Sequence, residues 1–276
     1  MIFVLLALYA GAAIAYGLHF ARREASAGRT ATALLMVAVI VHTFVVAMQT
    51  MEAGQFPITN TYRAVSAFVW LLALSYLYVE VTTNERAMGV FILTVVSGLL
   101  LIPALLPGME AENSPVLHSP WFGVHVASLL FAYASFGLAG VLGLIYVLQF
   151  KEIKKKQLDY FYTRLPSLQT LDAMNSRAVA IGWTLLTVGV IVGVVWAGQA
   201  RAEFPDNRNL EAMSLADPKV FVSVVTWVVY SFAMLSRRMM GWTGRRAAWL
   251  SASGFGIVLL NLIAVSYLIP TGSHNF

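Results

Sequence analysis

The chain has 276 residues, 59% of them hydrophobic and 11% charged, against about 45–50% and about 25% in an average soluble domain. That balance excludes a water-soluble globular protein. With 18 Lys and Arg against 13 Asp and Glu the net charge is +5, and because the basic residues are spread among short connections rather than on one soluble face, no nucleic-acid partner is expected.

A membrane-crossing helix needs about 20 mainly apolar residues. Such windows fall near 1–20, 31–51, 61–80, 87–106, 119–149, 178–197, 218–236 and 248–269. The pattern predicts an all-α polytopic integral membrane bundle of about eight transmembrane helices, a single transmembrane domain over 1–276. The first window lacks a basic leader, and Arg22, Arg23 and Arg29 follow its apolar run, so it reads as a retained helix rather than a cleaved signal. The fifth is longer than a bilayer requires and is followed by Lys151, Lys154, Lys155 and Lys156. Gly137, Gly140 and Gly143, and Gly182, Gly189 and Gly193, are spaced to let helices approach closely.

Threading these spans with the N-terminus outside puts 21–30, 81–86, 150–177 and 237–247 on the cytoplasmic side, and these segments hold 14 of the 18 basic residues. Only Arg63, Arg201, Arg208 and Lys219 remain opposite. By the positive-inside rule the expected location is a bacterial cytoplasmic (inner) membrane, multi-pass, with both termini on the periplasmic side. The segment 150–177 is then a cytoplasmic basic connector and 198–217 an external loop.

Zero cysteines exclude disulfides, thiolate metal sites and thioether attachment through the chain, so any transition metal or haem must be held by His, Met or oxygen ligands. There are five histidines, His19, His42, His118, His125 and His274. Ser119 as N-cap and Pro120 as first helical residue place His125 nearly two turns into the fifth helix, a little below the outer interface. His274 follows the last span and Pro270 closely, so its tail emerges on the same side. Two imidazoles at matching depth suit an iron porphyrin, which takes one axial ligand on each face. Trp121, Phe122, Tyr133, Trp196 and Tyr267 offer aromatic walls there. The bland alternative for either histidine is an interfacial residue bonded to headgroups or backbone. His118, seven residues before His125, is the substitute ligand. His42 falls near the middle of the second span, where an ionisable residue marks a functional site by default; a second haem, proton passage or a bond to a neighbouring helix all remain open. His19 reads as an interfacial anchor.

The 198–217 loop carries Arg201 and Arg208, with Lys219 just beyond it, and any of the three can pair with carboxylates such as haem propionates. Asp217-Pro218 is an N-cap and first-turn proline. No catalytic triad, P-loop, dinucleotide fingerprint or zinc-protease motif is present, which removes hydrolase and nucleotide-driven pump readings.

Several blocks carry a resemblance: Phe56-Pro57-Ile58-Thr59-Asn60-Thr61-Tyr62; Ser119-Pro120-Trp121 with His125; Leu165-Pro166-Ser167-Leu168-Gln169-Thr170-Leu171-Asp172, leading to Arg177-Ala178-Val179-Ala180-Ile181-Gly182; Trp196-Ala197; Asp217-Pro218-Lys219; Thr226-Trp227; Gly241-Trp242 with Gly244-Arg245-Arg246-Ala247-Ala248; and Gly272-Ser273-His274. In this order, over roughly 50–276, they resemble the CcsA and HemX type of cytochrome c assembly protein. The resemblance implies a haem-handling membrane protein in which two outward histidines, here His125 and His274, flank a tryptophan-rich external segment that presents haem. It also implies a partner membrane protein and an apocytochrome c as recipient. Two features depart from the family pattern. The stretch between Trp196 and Asp217 contains no tryptophan, and Leu235 stands close to where some members carry a membrane histidine.

The expected function is haem binding and presentation at the outer face for cytochrome c maturation. The cofactor would be non-covalent haem b, with His125 and His274 on the iron and Trp121, Trp196, His118, His42 and Lys219 as further contacts. A carrier or assembly factor is expected rather than a self-sufficient catalyst. Two alternatives are a b-type haem subunit of a membrane electron-transfer complex and a HemX-like regulatory or assembly protein that transfers no haem.

Overall fold

The computed structural model describes residues 1–54, 56, 61–105, 119–156, 162–203 and 218–260. Among them the fold is all-helical: α1 (Ile2–Arg22), α2 (Ala25–Ala53), α3 (Thr61–Thr83), α4 (Gly89–Leu105), α5 (Pro120–Lys155), a 3-10 turn (Tyr162–Arg164), α6 (Leu168–Glu203), α7 (Pro218–Met239) and α8 (Arg245–Leu260). Six of these, α1, α2, α3, α5, α6 and α7, are long and apolar enough to cross a membrane. The chain is a polytopic helical membrane bundle.

The bundle has two halves. In the first, α1 packs on α2 and α4, and α3 on α2 and α4. In the second, α5 packs along α6 and α8, and α7 leans on α6 and α8. Contacts of α3 with α5 and α6 join them. The glycines set the spacing of the second half. A methyl group at Gly143 would stand 2.6 Å from the carbonyl oxygen of Ala248 in α8, and one at Gly140 2.5 Å from Cβ of Phe255. At Gly182 it would strike the ring of Phe136. Two helices carrying side chains at those positions could not come this close, and without apolar driving force in lipid such packing is what holds helices together.

Helices α5 and α6 are each 36 residues, about 54 Å at 1.5 Å per residue, far more than a hydrocarbon core of about 30 Å. They therefore take up 150–155 and 168–177 of the stretch expected to be a connector, and α6 takes 198–203 of the expected external loop. Local chemistry accounts for the boundaries. Lys154 and Lys155 lie in the last turn of α5 and Lys156 closes it in the left-handed conformation, φ 56°. Ser167 Oγ accepts the backbone N–H of Thr170 at 3.1 Å and opens α6. Ser119 occupies the cap position before Pro120 as expected, but its side chain makes no capping bond. The α1–α2 turn is tighter than the sequence suggests: α2 begins at Ala25, Arg23 is left-handed at φ 57°, and the His19 Nδ1–H donates to Glu24 O at 2.9 Å. His19 thus ties a turn.

The segments rich in Lys and Arg gather at one end of the bundle. Arg164 donates to the carbonyls of Phe20 and Ala21, and Arg23 to that of Thr163. Asp172 accepts both Arg237 Nη1 (2.9 Å) and Nη2 (2.6 Å), and its Oδ1 also accepts the Gly244 N–H at 3.0 Å. One carboxylate near the start of α6 thereby fixes the α7–α8 turn, where Gly241 and Gly244 both have φ 63°.

Candidate functional site

His125 lies at the opposite end, in the second turn of α5. Its Nδ1 is 2.7 Å from the carbonyl oxygen of Gly189 in α6. A carbonyl only accepts, so Nδ1 carries the proton, and in the neutral ring the lone pair belongs to Nε2. A backbone carbonyl on one imidazole nitrogen is the usual device that orients a metal-ligating histidine. The close approach that allows it comes from Gly189 and Gly193. A methyl group at 193 would stand 2.5 Å from both Cε1 and Nδ1 of the ring. The Trp196 indole stacks against the imidazole, with centroids 6.2 Å apart and planes at 15°, and the Phe122 ring lies 4.9 Å from the same indole.

Of the other expected site residues, Trp196 is buried at 2% exposure while Trp121, on the first turn of α5, is 45% exposed. The structure joins Trp196, Phe122 and His125 in one aromatic cluster and leaves Trp121 on the outer surface of its helix. Tyr133 lies two turns below, its hydroxyl 3.2 Å from Ser223 Oγ on α7. Lys219 falls in the first turn of α7, with its side chain outside the described residues. His118, His274 and Tyr267 also lie outside them.

His42 is fully buried in α2. Tyr9 OH is 3.2 Å from its Nδ1 and Ser66 Oγ 3.0 Å from its Nε2, so one nitrogen donates, the other accepts, and α1, α2 and α3 are stitched together. Of the readings open at the sequence level, the bond to neighbouring helices describes this geometry. Ligation by His42 would require one of these bonds to be given up.

Two polar clusters escaped sequence reasoning. Glu80, 1% exposed on α3, accepts Tyr16 OH at 2.5 Å on Oε2 and Thr32 Oγ1 at 2.6 Å on Oε1. Arg86 Nε donates to the same Thr32 oxygen at 3.0 Å and stands 3.9 Å from Glu80 Oε1. A carboxylate inside an apolar run with an arginine six residues later was the available signal. Asn175 is the second: its amide donates to Ala139 O at 2.7 Å and its Oδ1 accepts Ser251 Oγ at 2.9 Å, which links α5, α6 and α8. Both clusters are closed on themselves and serve packing. Among the described residues, no group of three or more His, Asp or Glu side chains is placed to hold a metal ion. The imidazole of His125 is a donor that suits a haem iron rather than an ion that takes carboxylate ligands.

The family model described as "Cytochrome C assembly protein" matches residues 2–271. Similar curated proteins include the cytochrome c biogenesis protein CcsA of Guillardia theta, 26% identical over 260 residues that cover 87% of this chain and 83% of that protein. The protein of that name from Trieres chinensis is 26% identical over 272 residues, covering 87% and 84%. That of Microcystis aeruginosa (strain NIES-843 / IAM M-2473) is 27% identical over 274 residues, covering 82% and 80%.

Proposed function

Since this chain belongs to the cytochrome c assembly protein family, and so has a role in cytochrome c maturation, we propose that it binds haem b non-covalently at the outer end of α5 and α6 and presents it there. The observation that carries this reading is the His125 Nδ1 bond to Gly189 O, which fixes the tautomer and orientation of the imidazole. His125 and His274 would hold the iron, with Trp196 backing the first of them. When bound, haem would supply a redox-active iron and the porphyrin vinyl groups at which covalent attachment takes place. The chain's own contribution is to fix the imidazole tautomer through Gly189, to exclude water from one side of that ring with Trp196 and Phe122, and to offer Arg201, Arg208 or Lys219 to the propionates.

The rest of the assignment belongs to the same proposal. The membrane is a bacterial cytoplasmic membrane with both termini outward, since 14 of 18 basic residues fall in the segments at the opposite end. An apocytochrome c receives the haem, and a second membrane protein assists.

The test is an absorption spectrum, oxidised and dithionite-reduced, of the detergent-purified chain and of its His125→Ala/His274→Ala variant. A Soret band with a reduced b-type pattern that vanishes in the variant is expected. Unchanged pigment in the variant sinks the ligand assignment, and a colourless wild type favours a HemX-like assembly role without haem. The absence of tryptophan between Trp196 and Asp217 favours one second reading, a haem subunit of an electron-transfer complex. Deletion separates them, because only loss of a maturation factor removes the host's covalently attached c-type haem.

A further inference from the structure

The Gly241–Ala248 block does not contribute to the haem site, yet it shapes an open cavity of about 780 Å³ lined by Gly241, Trp242, Thr243, Arg245, Arg246, Trp249, Leu250 and Ser253. We propose that this cavity, at the α7–α8 turn on the basic end of the bundle, is a binding site for the phosphate headgroup of an anionic phospholipid.

Charge is the first argument. The same end holds Arg237, but that guanidinium is consumed by Asp172. Arg245 and Arg246 are exposed and pair with no carboxylate among the described residues, so two positive charges face the cavity uncompensated. Their positions are not random. Arg245 lies over the Phe150 ring and Arg246 over the Trp242 ring, each 5.5 Å from the centroid. Stacking of this kind restrains the long side chains before any ligand arrives and leaves the planar N–H edges to meet phosphate oxygens. The Asp172 grip on the Gly244 N–H holds the turn that carries both.

Shape is the second. Residues 245, 249 and 253 recur at intervals of four and form one stripe along α8, about 12 Å from Arg245 to Ser253 at 1.5 Å per residue. Down that stripe the lining passes from guanidinium to indole and then to Leu250 and Ser253. Two guanidinium groups beside the indoles of Trp242 and Trp249 and the side chain of Leu250 combine the cationic and apolar contacts that an amphiphile at a leaflet surface needs. A soluble phosphate would use only the guanidinium groups.

Native mass spectrometry of the full chain from mixed micelles tests this, with phosphatidylglycerol and phosphatidylcholine as competing probes. One retained phosphatidylglycerol is expected, and the Arg245→Gln/Arg246→Gln variant should lose about thirtyfold in that preference. The Lys151→Gln/Lys154→Gln variant removes the same charge from the nearby end of α5 and should keep the preference, which separates this cavity from a general basic surface. Should the arginine variant fail to fold, the wild type and the lysine variant still decide the matter: equal retention of the two lipids, or loss of the preference in the lysine variant, overturns the proposal. So does displacement of the lipid by millimolar inorganic phosphate, which would mark a soluble-anion site. Preference that survives in a folded arginine variant overturns it as well.

Discussion

The two halves of the bundle handle polarity in opposite ways. In α1–α4 the buried carboxylate and the buried imidazole are answered by side chains of the same half: Glu80 by Tyr16 and Thr32, His42 by Tyr9 and Ser66. In α5–α8 the seams are glycine, and the key polar side chains reach for backbone, His125 for Gly189 O, Asn175 for Ala139 O and Asp172 for the Gly244 N–H. Side chains bonded to one another make a closed lock. A side chain bonded to backbone is oriented by the helix it meets, and in Asn175 and Asp172 the remaining polar atoms then reach Ser251 and Arg237 on other helices. Two histidines of one chain are thus held differently: His42 by side chains of α1 and α3 on its two nitrogens, and His125 by a backbone carbonyl that sets its tautomer.

The difference is open to attack at the first lock. Glu80→Ala leaves the Tyr16 hydroxyl without its acceptor, Thr32 with only the Gly28 carbonyl, and Arg86 without its counter-charge. Removing one member of a buried, paired charge cluster costs about 3 kcal/mol, so a large fall in thermal stability in detergent is expected, while the haem spectrum of the protein that stays folded is unchanged. A selective loss of pigment at unaltered stability would mean that the first half takes part in haem binding after all.

Much of this architecture is legible in the sequence, and the reasons are physical. Spans announce themselves because every backbone polar group in lipid must be satisfied within a helix, and Ser119-Pro120 and the Lys154-Lys155 end mark α5 for the same reason that helix termini need caps and charges. The glycine spacings read correctly as close-approach seams. What the sequence does not display is pairing across helices. Tyr9 and Ser66 flank His42 from 33 residues before and 24 after, and nothing local ties them together. Asp172 sits in one recognisable block and Gly244 in another, but only folding shows that the first grips the second. Helix ends that run past the bilayer are likewise hidden, since hydropathy marks where lipid ends rather than where the helix does. His125 and Trp196, which the span boundaries put at one depth, do pack together, whereas the Gly189 carbonyl that orients the imidazole is backbone and leaves no trace in residue type.

A smaller perturbation sharpens the second half. Gly193→Ala gains helix propensity of about 1 kcal/mol, yet its methyl group would sit 2.5 Å from two atoms of the His125 ring. Overpacking of that kind costs about 1–3 kcal/mol, so the net loss of stability should not exceed about 2 kcal/mol. The imidazole, however, must swing off the Gly189 carbonyl. Reduced haem occupancy in a protein that stays folded is expected, read as the ratio of Soret to protein absorbance. Full occupancy would show that the His125 orientation is not what the ligand requires.

The least consequential change is expected at the histidine whose depth in the second span makes it a functional candidate by default. His42→Leu removes two hydrogen bonds in the membrane interior. Interhelical hydrogen bonds there average only about 0.6 kcal/mol because the separated helices find other partners, and leucine restores apolar contact in a fully buried position. A loss of about 1 kcal/mol in stability with intact pigment is expected, measured by thermal unfolding beside the absorption spectrum. Were pigment or host c-type cytochromes to fall with His42→Leu while Ser66→Ala left them untouched, the imidazole itself would be at work and the division between a closed half and an open one would fail. Equal, small effects from both substitutions are what a hydrogen bond serving only to hold α2 against α3 requires.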